Sequence, residues 1–352
     1  MSLAIDFLMR MTQQQKTAVM IGAAGLGAMV LARAWRARYA IDFAGKTVLI
    51  TGGSRGLGLV LARELADEGA RLVLVARDEG ELERAEADLQ ERLPFAELLT
   101  VTADVRRRDD AERVVAMAKD RFGSIDVLIN NAGIIQAGPF DHMKLSDFQD
   151  AMDTHFWGPL YMTMAAIPHM RRQGAGRIVN ISSIGGRIAV PHMLPYSASK
   201  FALTGLSDGL RVELARDNIL VTTVCPGLMR TGSPVNALFK GQRPKEYAWF
   251  AIADSLPLAS IDARRAARQI VNACRHGDAE LVITAQAKLA ILARTAAPEL
   301  FADVMTVMNG LLPGPAPDGD EARPGRDSES AWVPSALTTL SQTAAKANNE
   351  NP

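Results

Sequence analysis

Two periods of apolar residues alternate along the middle of the chain. Short runs rich in Val, Ile, Leu and Thr recur between residues 46 and 284, and they predict buried strands. The segments between them return an apolar residue every three to four positions, which predicts amphipathic helices. The seven predicted strands are residues 46–51, 71–76, 97–102, 125–130, 176–181, 219–225 and 280–284. This alternation predicts an α/β domain with a doubly wound, parallel seven-stranded sheet.

Both ends of the chain depart from that alternation. Residues 17–32 are uncharged and precede three arginines, which is typical of a membrane anchor helix, although a helix of this length reaches only about 24 Å of the roughly 30 Å hydrocarbon core. A signal peptide and a helix packed on the domain are the alternatives. Residues 313–352 are rich in Pro, Gly and charge, which predicts a disordered tail. The predicted division is an N-terminal segment at 1–40, one catalytic domain at 41–312 and the tail at 313–352.

Charge and metal-ligand chemistry exclude several classes of function. The 39 basic and 39 acidic residues give no net charge, so nothing favours nucleic-acid binding. Cys225 and Cys274 lie far apart in apolar surroundings, which argues against a disulfide or a thiolate metal site and fits a reducing compartment. None of the five histidines is spaced four residues from another, so we expect no catalytic metal.

A glycine-rich turn follows the first predicted strand. The stretch TGGSRGLG, residues 51–58, has the spacing G-x-x-x-G-x-G and leads into a helix. Gly52 can turn the chain, Gly56 can let the backbone approach a pyrophosphate, and Gly58 can permit close helix packing. The similar stretch GAAGLG, residues 22–27, has no second strand after it and is assigned to the anchor segment.

A tyrosine and a lysine share one face of a later predicted helix. Tyr196 and Lys200 are four residues apart, so the lysine ammonium lies near the phenol. A nearby positive charge lowers the pKa of a phenol from about 10 toward the working pH, as a general acid or base requires. Tyr196 is therefore the candidate proton carrier.

Four motifs together resemble one enzyme family. They are Y-x-x-x-K at Tyr196 and Lys200, Ser183 thirteen residues before the tyrosine, NNAG at 130–133, and TGGSRGLG at 51–58. In this order they resemble the short-chain dehydrogenase/reductase family, whose fold is of the Rossmann type. PGLMRT at 226–231 fits the same family, and the resemblance covers roughly residues 42–284.

The resemblance implies roles for the catalytic candidates. Tyr196 would carry the proton, Lys200 would also bind the nicotinamide ribose, and Ser183 would hold the substrate oxygen, with Ser182 as the rival for that last role. The family usually has an asparagine where HFWG places His155. His155 is therefore a candidate member of the proton relay, with a pH dependence near its ordinary pKa of about 6.5; the alternatives are a weakened relay and a structural histidine.

The residues around the predicted adenosine site favour NADP(H). The carboxylate that selects NAD is absent from the end of the second strand, where Ala76 and Arg77 stand, and Arg55 lies in the glycine loop. By resemblance, Asp104 would meet the adenine amino group and Thr231 the carboxamide or pyrophosphate. The predicted cofactor-binding residues are Thr51, Gly52, Ser54, Arg55, Gly56, Leu57, Gly58, Arg77, Asp104, Val105, Asn131, Ala132, Gly133, Tyr196, Lys200, Pro226, Gly227 and Thr231.

These observations predict an NADP(H)-dependent oxidoreductase that transfers a hydride between nicotinamide and a carbonyl or alcohol. Aromatic residues between 233 and 260 favour a lipophilic substrate, or else pack a lid or an oligomer interface. A catalytically weak NADPH-binding sensor and a membrane-associated scaffold are the alternative functions. The family resemblance implies a homodimer or homotetramer. A single N-terminal pass would leave the domain facing the cytoplasm, and a soluble cytoplasmic protein is the alternative location.

Overall fold

The structure is a computed structural model of the 352-residue chain. It describes residues 12, 13, 17, 20, 22, 25, 27 and 29, then 36–257 and 259–351. The predicted anchor helix at 17–32 therefore lies mostly outside the described residues. Within the part that is described, no helix combines the length and the apolar character needed to cross a bilayer.

The described residues confirm the predicted seven-stranded parallel sheet. All seven predicted strands are present and lie side by side in one sheet. Numbered through the described residues, the strands are β1 (Thr47–Thr51), β2 (Arg71–Ala76), β3 (Leu98–Thr102), β4 (Val127–Asn130), β5 (Gln136–Ala137), β6 (Gly176–Ile181), β7 (Ile219–Pro226), β8 (Leu228–Arg230), β9 (Leu238–Phe239), β10 (Ser260–Asp262), β11 (Glu280–Ile283) and β12 (Arg323–Pro324). The order of strands in the large sheet is β11-β7-β6-β4-β1-β2-β3. The short strands form two small sheets, β10-β8 and β12-β9-β5.

Helices cover both faces of the large sheet. Numbered from residue 36 onward, they are α1 (Gly56–Asp67), α2 (Glu79–Arg92), α3 (Arg108–Phe122), α4 (Leu145–Met152), α5 (Gly158–Gln173), α6 (Leu194–Leu214), α7 (Arg243–Ser255), α8 (Ala263–His276), α9 (Ala285–Ala296), α10 (Pro298–Gly310) and α11 (Thr339–Ala347). A five-residue π-helix, Asp153–Trp157, joins α4 to α5.

Alternate residues of the strands feed two apolar layers. Val48 and Ile50 of β1 pack with α1 and α8 on one side, whereas Leu49 packs with α3 and α5 on the other. The chain order of the strands reverses between β1 and β4, and the carboxyl ends of these parallel strands lie at one edge of the sheet. In folds of this kind the crevice at that point is where ligands bind.

The prediction of a disordered tail is wrong for residues 313–351. β12 pairs with β9, α11 packs on α7, and Val333 is buried beside Phe239 and Tyr247. Composition was misleading because the polar groups of this segment find partners on the preceding domain. For example, the Gly325 amide donates to the Ala237 carbonyl at 2.9 Å. We call residues 313–351 the C-terminal segment.

The apolar stretch that precedes the C-terminal segment forms two helices. α9 ends at Ala296 and α10 begins at Pro298, because proline fits the first turn of a helix and disfavours a helical conformation in the residue before it. Most large apolar side chains of the pair are exposed: Leu289, Leu292, Leu300, Val304, Val307 and Met308.

Candidate active site

The glycine loop has the backbone geometry that its sequence predicts. Gly52 and Gly56 adopt positive φ values of 64° and 55°. A Cβ atom at Gly58 would lie 1.9 Å from the Gly52 carbonyl oxygen, so only glycine lets α1 pack this closely against the turn. The loop therefore presents the first amides of α1 at the crevice, as a dinucleotide-binding loop does.

The NNAG stretch, at the end of β4, forms hydrogen bonds with the end of β1 and with this loop. The Thr51 hydroxyl accepts hydrogen bonds from the Asn131 and Ala132 amides at 3.0 and 3.1 Å. The Asn131 side chain donates to the carbonyls of Thr51 and Gly52. A Cβ at Gly133 would lie 3.2 Å from His155 Nε2, so this glycine lets the strand approach the imidazole.

The two adjacent serines after β6 point in different directions. Ser182 is buried, and its hydroxyl contacts the Lys200 carbonyl at 3.1 Å and Thr204 Oγ1 at 2.8 Å. The Ser183 hydroxyl accepts a bond from the Gly185 amide at 2.9 Å, and a Cβ atom at Gly185 would lie 3.4 Å from Ser183 Oγ and 3.1 Å from the Tyr196 ring. The geometry places Ser183 beside the candidate proton carrier and Ser182 against the backbone of α6.

The charge state of the Tyr196–Lys200 pair differs from the expectation. Burial raises the pKa of the Tyr196 phenol, although its hydrogen bond with Ser183 lowers it. Burial also lowers the pKa of Lys200 to about 7. Lys200 Nζ lies 5.6 Å from the Tyr196 ring centroid and donates to the Ile181 carbonyl at 2.8 Å. Helical spacing brings the two side chains together as predicted, but desolvation opposes both charged forms and outweighs the attraction between them.

His155 is a neutral, positioned group in this structure. Its Nε2 accepts a hydrogen bond from the Ile134 amide at 3.1 Å, so Nδ1 carries the proton and donates to Ser199 Oγ at 2.8 Å. Ser199 in turn donates to the Tyr196 carbonyl. Burial, and then the charge of Lys200, lower the pKa of His155 well below its usual range. The pH dependence near 6.5 expected from a titrating relay is therefore wrong for this geometry.

The predicted adenosine side of the crevice is lined by charged residues. Arg55 Nη1 forms an ion pair with Glu81 Oε1 at 2.8 Å, and Ser54 Oγ donates to Glu81 Oε2 at 2.8 Å. Arg77 is exposed just beyond β2, and Asp78 caps α2 by accepting a bond from the Glu81 amide. Asp78 thus caps the start of α2, where the helix dipole favours an acidic side chain.

Two other predicted cofactor residues line the next strand end. Asp104 is held by Arg106 through bonds of 2.6 to 3.0 Å. Burial raises the pKa of Asp104, but the hydrogen bonds and the charge of Arg106 lower this pKa by more than burial raises it. The net shift of the pKa is therefore downward. Val105 packs at Gly158, where an added Cβ would lie 3.0 Å from its side chain.

The segment after β7 closes the other side of the crevice. Pro226 ends β7, the Gly227 amide donates to the Ile283 carbonyl, and Thr231 is buried. The aromatic rings of the segment that follows pack together: Phe239, Tyr247 and Phe250 form a buried cluster with Met193, against which Tyr196 packs. This aromatic cluster, which we call the lid, lies beside Tyr196 of α6.

Sequence reasoning missed the residues at the very end of the chain. The Asn348 carbonyl accepts a bond from the Gly56 amide at 2.8 Å, and Glu350 Oε2 lies 3.5 Å from Arg55 Nε. The amphipathic spacing of residues 339–347 was the available signal for an ordered helix before them. Nothing in the sequence indicates where that helix docks.

Comparison with known proteins agrees with the motifs. The model of the short chain dehydrogenase family matches residues 46–238, more than half of the chain. The chain is 39% identical over 199 residues to 11-beta-hydroxysteroid dehydrogenase 1A of Arabidopsis thaliana, a match that covers 56% of each protein. The chain thus spans little more than half the length of that relative. It is also 34% identical over 276 residues, 78% of each chain, to 11-beta-hydroxysteroid dehydrogenase A of Sesamum indicum.

A solved structure shares the fold. L-sorbose reductase from Gluconobacter frateurii, solved with NADPH and L-sorbose, superposes with a TM-score of 0.62 at 26% identity over 69% of this chain and 97% of that one. With the family match, these findings show that the chain belongs to the short-chain dehydrogenase family.

Proposed function

We propose that this chain is an NADP(H)-dependent oxidoreductase that moves a hydride between the nicotinamide and the carbonyl or alcohol carbon of a lipophilic substrate. The observation that carries the proposal is the clustering of Ser183, Tyr196 and Lys200: Ser183 Oγ and the Tyr196 ring both lie within 3.4 Å of the Cβ position at Gly185, and Lys200 Nζ lies 5.6 Å from the Tyr196 ring centroid. When bound, the nicotinamide supplies or accepts the hydride.

The side chains divide the remaining work of the reaction. In the reducing direction, Tyr196 gives its phenolic proton to the substrate oxygen as that oxygen gains negative charge. Ser183 donates a hydrogen bond to the same oxygen and holds it in place. Lys200, buried next to the tyrosine, is positioned to pass a proton back to the phenolate, and its pKa of about 7 suits that exchange. His155 and Ser199 orient the Tyr196 backbone.

Two arginines and a missing carboxylate support NADP(H) over NAD(H). Ala76 ends β2 where an NAD-selecting acid would stand, and Arg77 follows it with an exposed side chain. Arg55 is the second guanidinium, but its charge is offset by the ion pair with Glu81. Arg77 is therefore the residue on which we expect most of the selectivity for the 2′-phosphate to depend.

The substrate class rests on apolar surroundings and on the relatives. The lid cluster beside Tyr196 is made of aromatic and aliphatic side chains. The two plant relatives are named as hydroxysteroid dehydrogenases, which act on a polycyclic, apolar alcohol or ketone. Membrane association through residues 17–32 and assembly into a homodimer or homotetramer remain predictions.

The direct test is NADPH oxidation by the full chain against a panel of polycyclic and long-chain ketones, with NADH in parallel. Tyr196→Phe is expected to lower kcat by about 100-fold or more, because it removes the proton while keeping the ring. Tyr161→Phe, whose ring stacks on Trp157, is the matched control and should keep full turnover. NADPH binding without turnover on any ketone would favour the cofactor-sensor function instead.

A further inference from the structure

We propose that the dinucleotide cradle is also a binding site for the tripeptide Asn348–Glu350 of the C-terminal segment, and that the cofactor binds only when this tripeptide leaves. The inference rests on the proposed cofactor role of the glycine loop. The ligand that we propose for the cradle is an acidic peptide of the same chain. This peptide competes with the pyrophosphate of the cofactor for the cradle.

The C-terminal segment is held along a defined path to the cradle. Its early part follows the lid, where the His142 imidazole pairs with Asp320 at 2.9 Å and β12 pairs with β9. Its later part docks α11 on α7, where Ser341 Oγ donates to Asp254 at 2.9 Å. This path delivers the last residues to the first turn of α1.

The tripeptide occupies the position that the loop geometry provides for a phosphate. The Gly56 amide, the first of α1, donates to the Asn348 carbonyl at 2.8 Å. A Cβ at Gly56 would lie 2.5 Å from Glu350 Oε1, so the carboxylate rests on the glycine itself. Backbone amides at the start of a helix, next to a glycine without a side chain, are the groups that bind a pyrophosphate.

Glu350 is bound there as a buried carboxyl group. Its side chain is 5% exposed, with Oε2 at 3.5 Å from Arg55 Nε and 2.6 Å from Asn236 Nδ2. Asn236 also donates to the Glu350 carbonyl at 2.7 Å. A pyrophosphate in this cradle needs the same Gly56 amide and the same Arg55 guanidinium, and the Glu350 carboxyl group fills the space above Gly56. The tripeptide and the pyrophosphate therefore cannot occupy the cradle together.

Asn348 and Asn349 contact predicted cofactor-binding residues on both sides of the cradle. Asn348 Nδ2 donates to the Thr231 carbonyl at 3.2 Å on the nicotinamide side. Asn349 Nδ2 donates to the carbonyls of Ser54 and Glu81 at 2.9 and 3.0 Å on the adenosine side. The tripeptide thus touches the predicted phosphate-binding residues directly and does not merely border them.

The contacts of the tripeptide are polar, which suits an exchangeable ligand. Water can bond to the carbonyls that Asn348 and Asn349 leave, and a cofactor phosphate can accept from the Asn236 and Arg55 donors that Glu350 leaves. The last large docking contacts before the tripeptide belong to α11. A tethered competitor acts at an effective concentration on the order of mM, so it lowers the apparent affinity for the cofactor by the fraction of time that it is bound.

The test compares NADPH dissociation constants of the full chain and of Glu350→Ala, measured by titration calorimetry. Asp318→Ala removes an exposed carboxylate of the same segment and is the matched control. We expect Glu350→Ala to bind NADPH about tenfold more tightly, because a charge-assisted contact of the competitor is lost, and Asp318→Ala to bind like wild type. A variant ending at Ala347 should gain at least as much.

Two further measurements separate displacement from a merely structural role. NADPH should increase amide hydrogen exchange of residues 339–351 in the wild-type chain while the glycine loop stays protected. A synthetic peptide of residues 346–352 should compete with NADPH for the shortened variant, and a scrambled peptide should not. Equal NADPH affinity in all forms, or unchanged exchange of residues 339–351, overturns this inference alone. Absence of NADPH binding in every form overturns the proposed cofactor role together with it.

Discussion

The Ser183–Tyr196–Lys200 cluster and the glycine loop face the same crevice but obtain their surroundings in different ways. The cluster is built from β6 and α6, which are neighbours in sequence, and its internal contacts span few residues. The glycine loop is contacted by residues from the far end of the chain, such as Asn349, which bonds to Ser54 across a separation of 295 residues. The reaction chemistry is thus set locally, whereas access of the cofactor depends on a long-range contact.

The physical reason for this difference lies in what each region must satisfy. The catalytic side chains are satisfied by one another and by nearby backbone, as the Lys200 bond to Ile181 illustrates. The first amides of α1 have no partner within their own helix and must find an acceptor elsewhere. In this chain the Asn348 carbonyl supplies one. An unsatisfied helix start is therefore where a distant segment can compete with a ligand.

The largest expected effect is a loss of kcat when Ser183, and not its neighbour Ser182, is replaced. Ser183→Ala should lower kcat by about 100-fold, because it deletes a hydrogen-bond donor aimed at the substrate oxygen. Ser182→Ala should keep kcat but lower the free energy of unfolding by about 1 kcal/mol, because it removes a buried hydroxyl that bonds to the Lys200 carbonyl and to Thr204 Oγ1. Steady-state kinetics and urea unfolding of both variants measure these effects. Equal loss of kcat in the two would contradict the assignment of Ser183.

A smaller effect concerns the adenosine side of the glycine loop. Arg77→Ala should raise the KM for NADPH by about tenfold and leave the KM for NADH nearly unchanged, because only NADPH carries the 2′-phosphate. Arg92→Ala, an exposed arginine in the last turn of α2, is the control for a general loss of positive charge. Steady-state measurement of the KM values for NADPH and for NADH in both variants tests this prediction. An equal rise in both KM values would show that Arg77 does not read the phosphate.

The smallest effect is a pH dependence of the docking of the C-terminal segment. Burial raises the pKa of Asp254 to about 7, against opposing effects of Ser341 and Arg230, while Glu350 raises it further. Burial likewise raises the pKa of Glu350, although Arg55 and Asn236 lower it and Glu81 raises it. Because the pKa of Asp254 lies above its unfolded value, the contribution of this carboxyl group to docking is complete below about pH 4 and is lost as the pH rises through about 7.

Hydrogen exchange of residues 339–351 between pH 5 and 8, corrected for intrinsic exchange, measures that dependence. Protection should fall across this range in the wild-type chain. Asp254→Asn, which keeps a neutral side chain that Ser341 can still contact, should show a shallower fall. An identical slope in both proteins would argue against Asp254 as a titrating group in docking.

Much of the fold was predictable because its patterns are short. Strand alternation and helical periodicity located all seven strands of the main sheet, and the turn at Gly52 and Gly56 follows from the glycine spacing. The cap at Asp78 was also predictable, because it depends only on residues three positions apart. The roles of Ser183, Tyr196 and Lys200 in the reaction remain predictions, although the structure brings the three together.

Other features depended on burial, which a linear pattern does not contain. The interpretation of Lys200 as a charge that lowers the pKa of Tyr196 failed because both groups lie in a desolvated crevice. His155 loses its usual pKa for the same reason, and its tautomer is set by the Ile134 amide. Composition alone classed residues 313–351 as disordered, because Pro, Gly and charge usually accompany a lack of core.

The sequence by itself determined the class of fold, the anion-binding turn of α1 and the spacing that places Tyr196 beside Lys200, because each depends on residues within a few positions of one another. Only the tertiary structure decided which serine faces Tyr196, that His155 stays neutral, and that Glu350 rests on Gly56. Those outcomes depend on which distant groups share a low-dielectric space and must satisfy each other's charges and hydrogen bonds, and that is established only when the chain has folded.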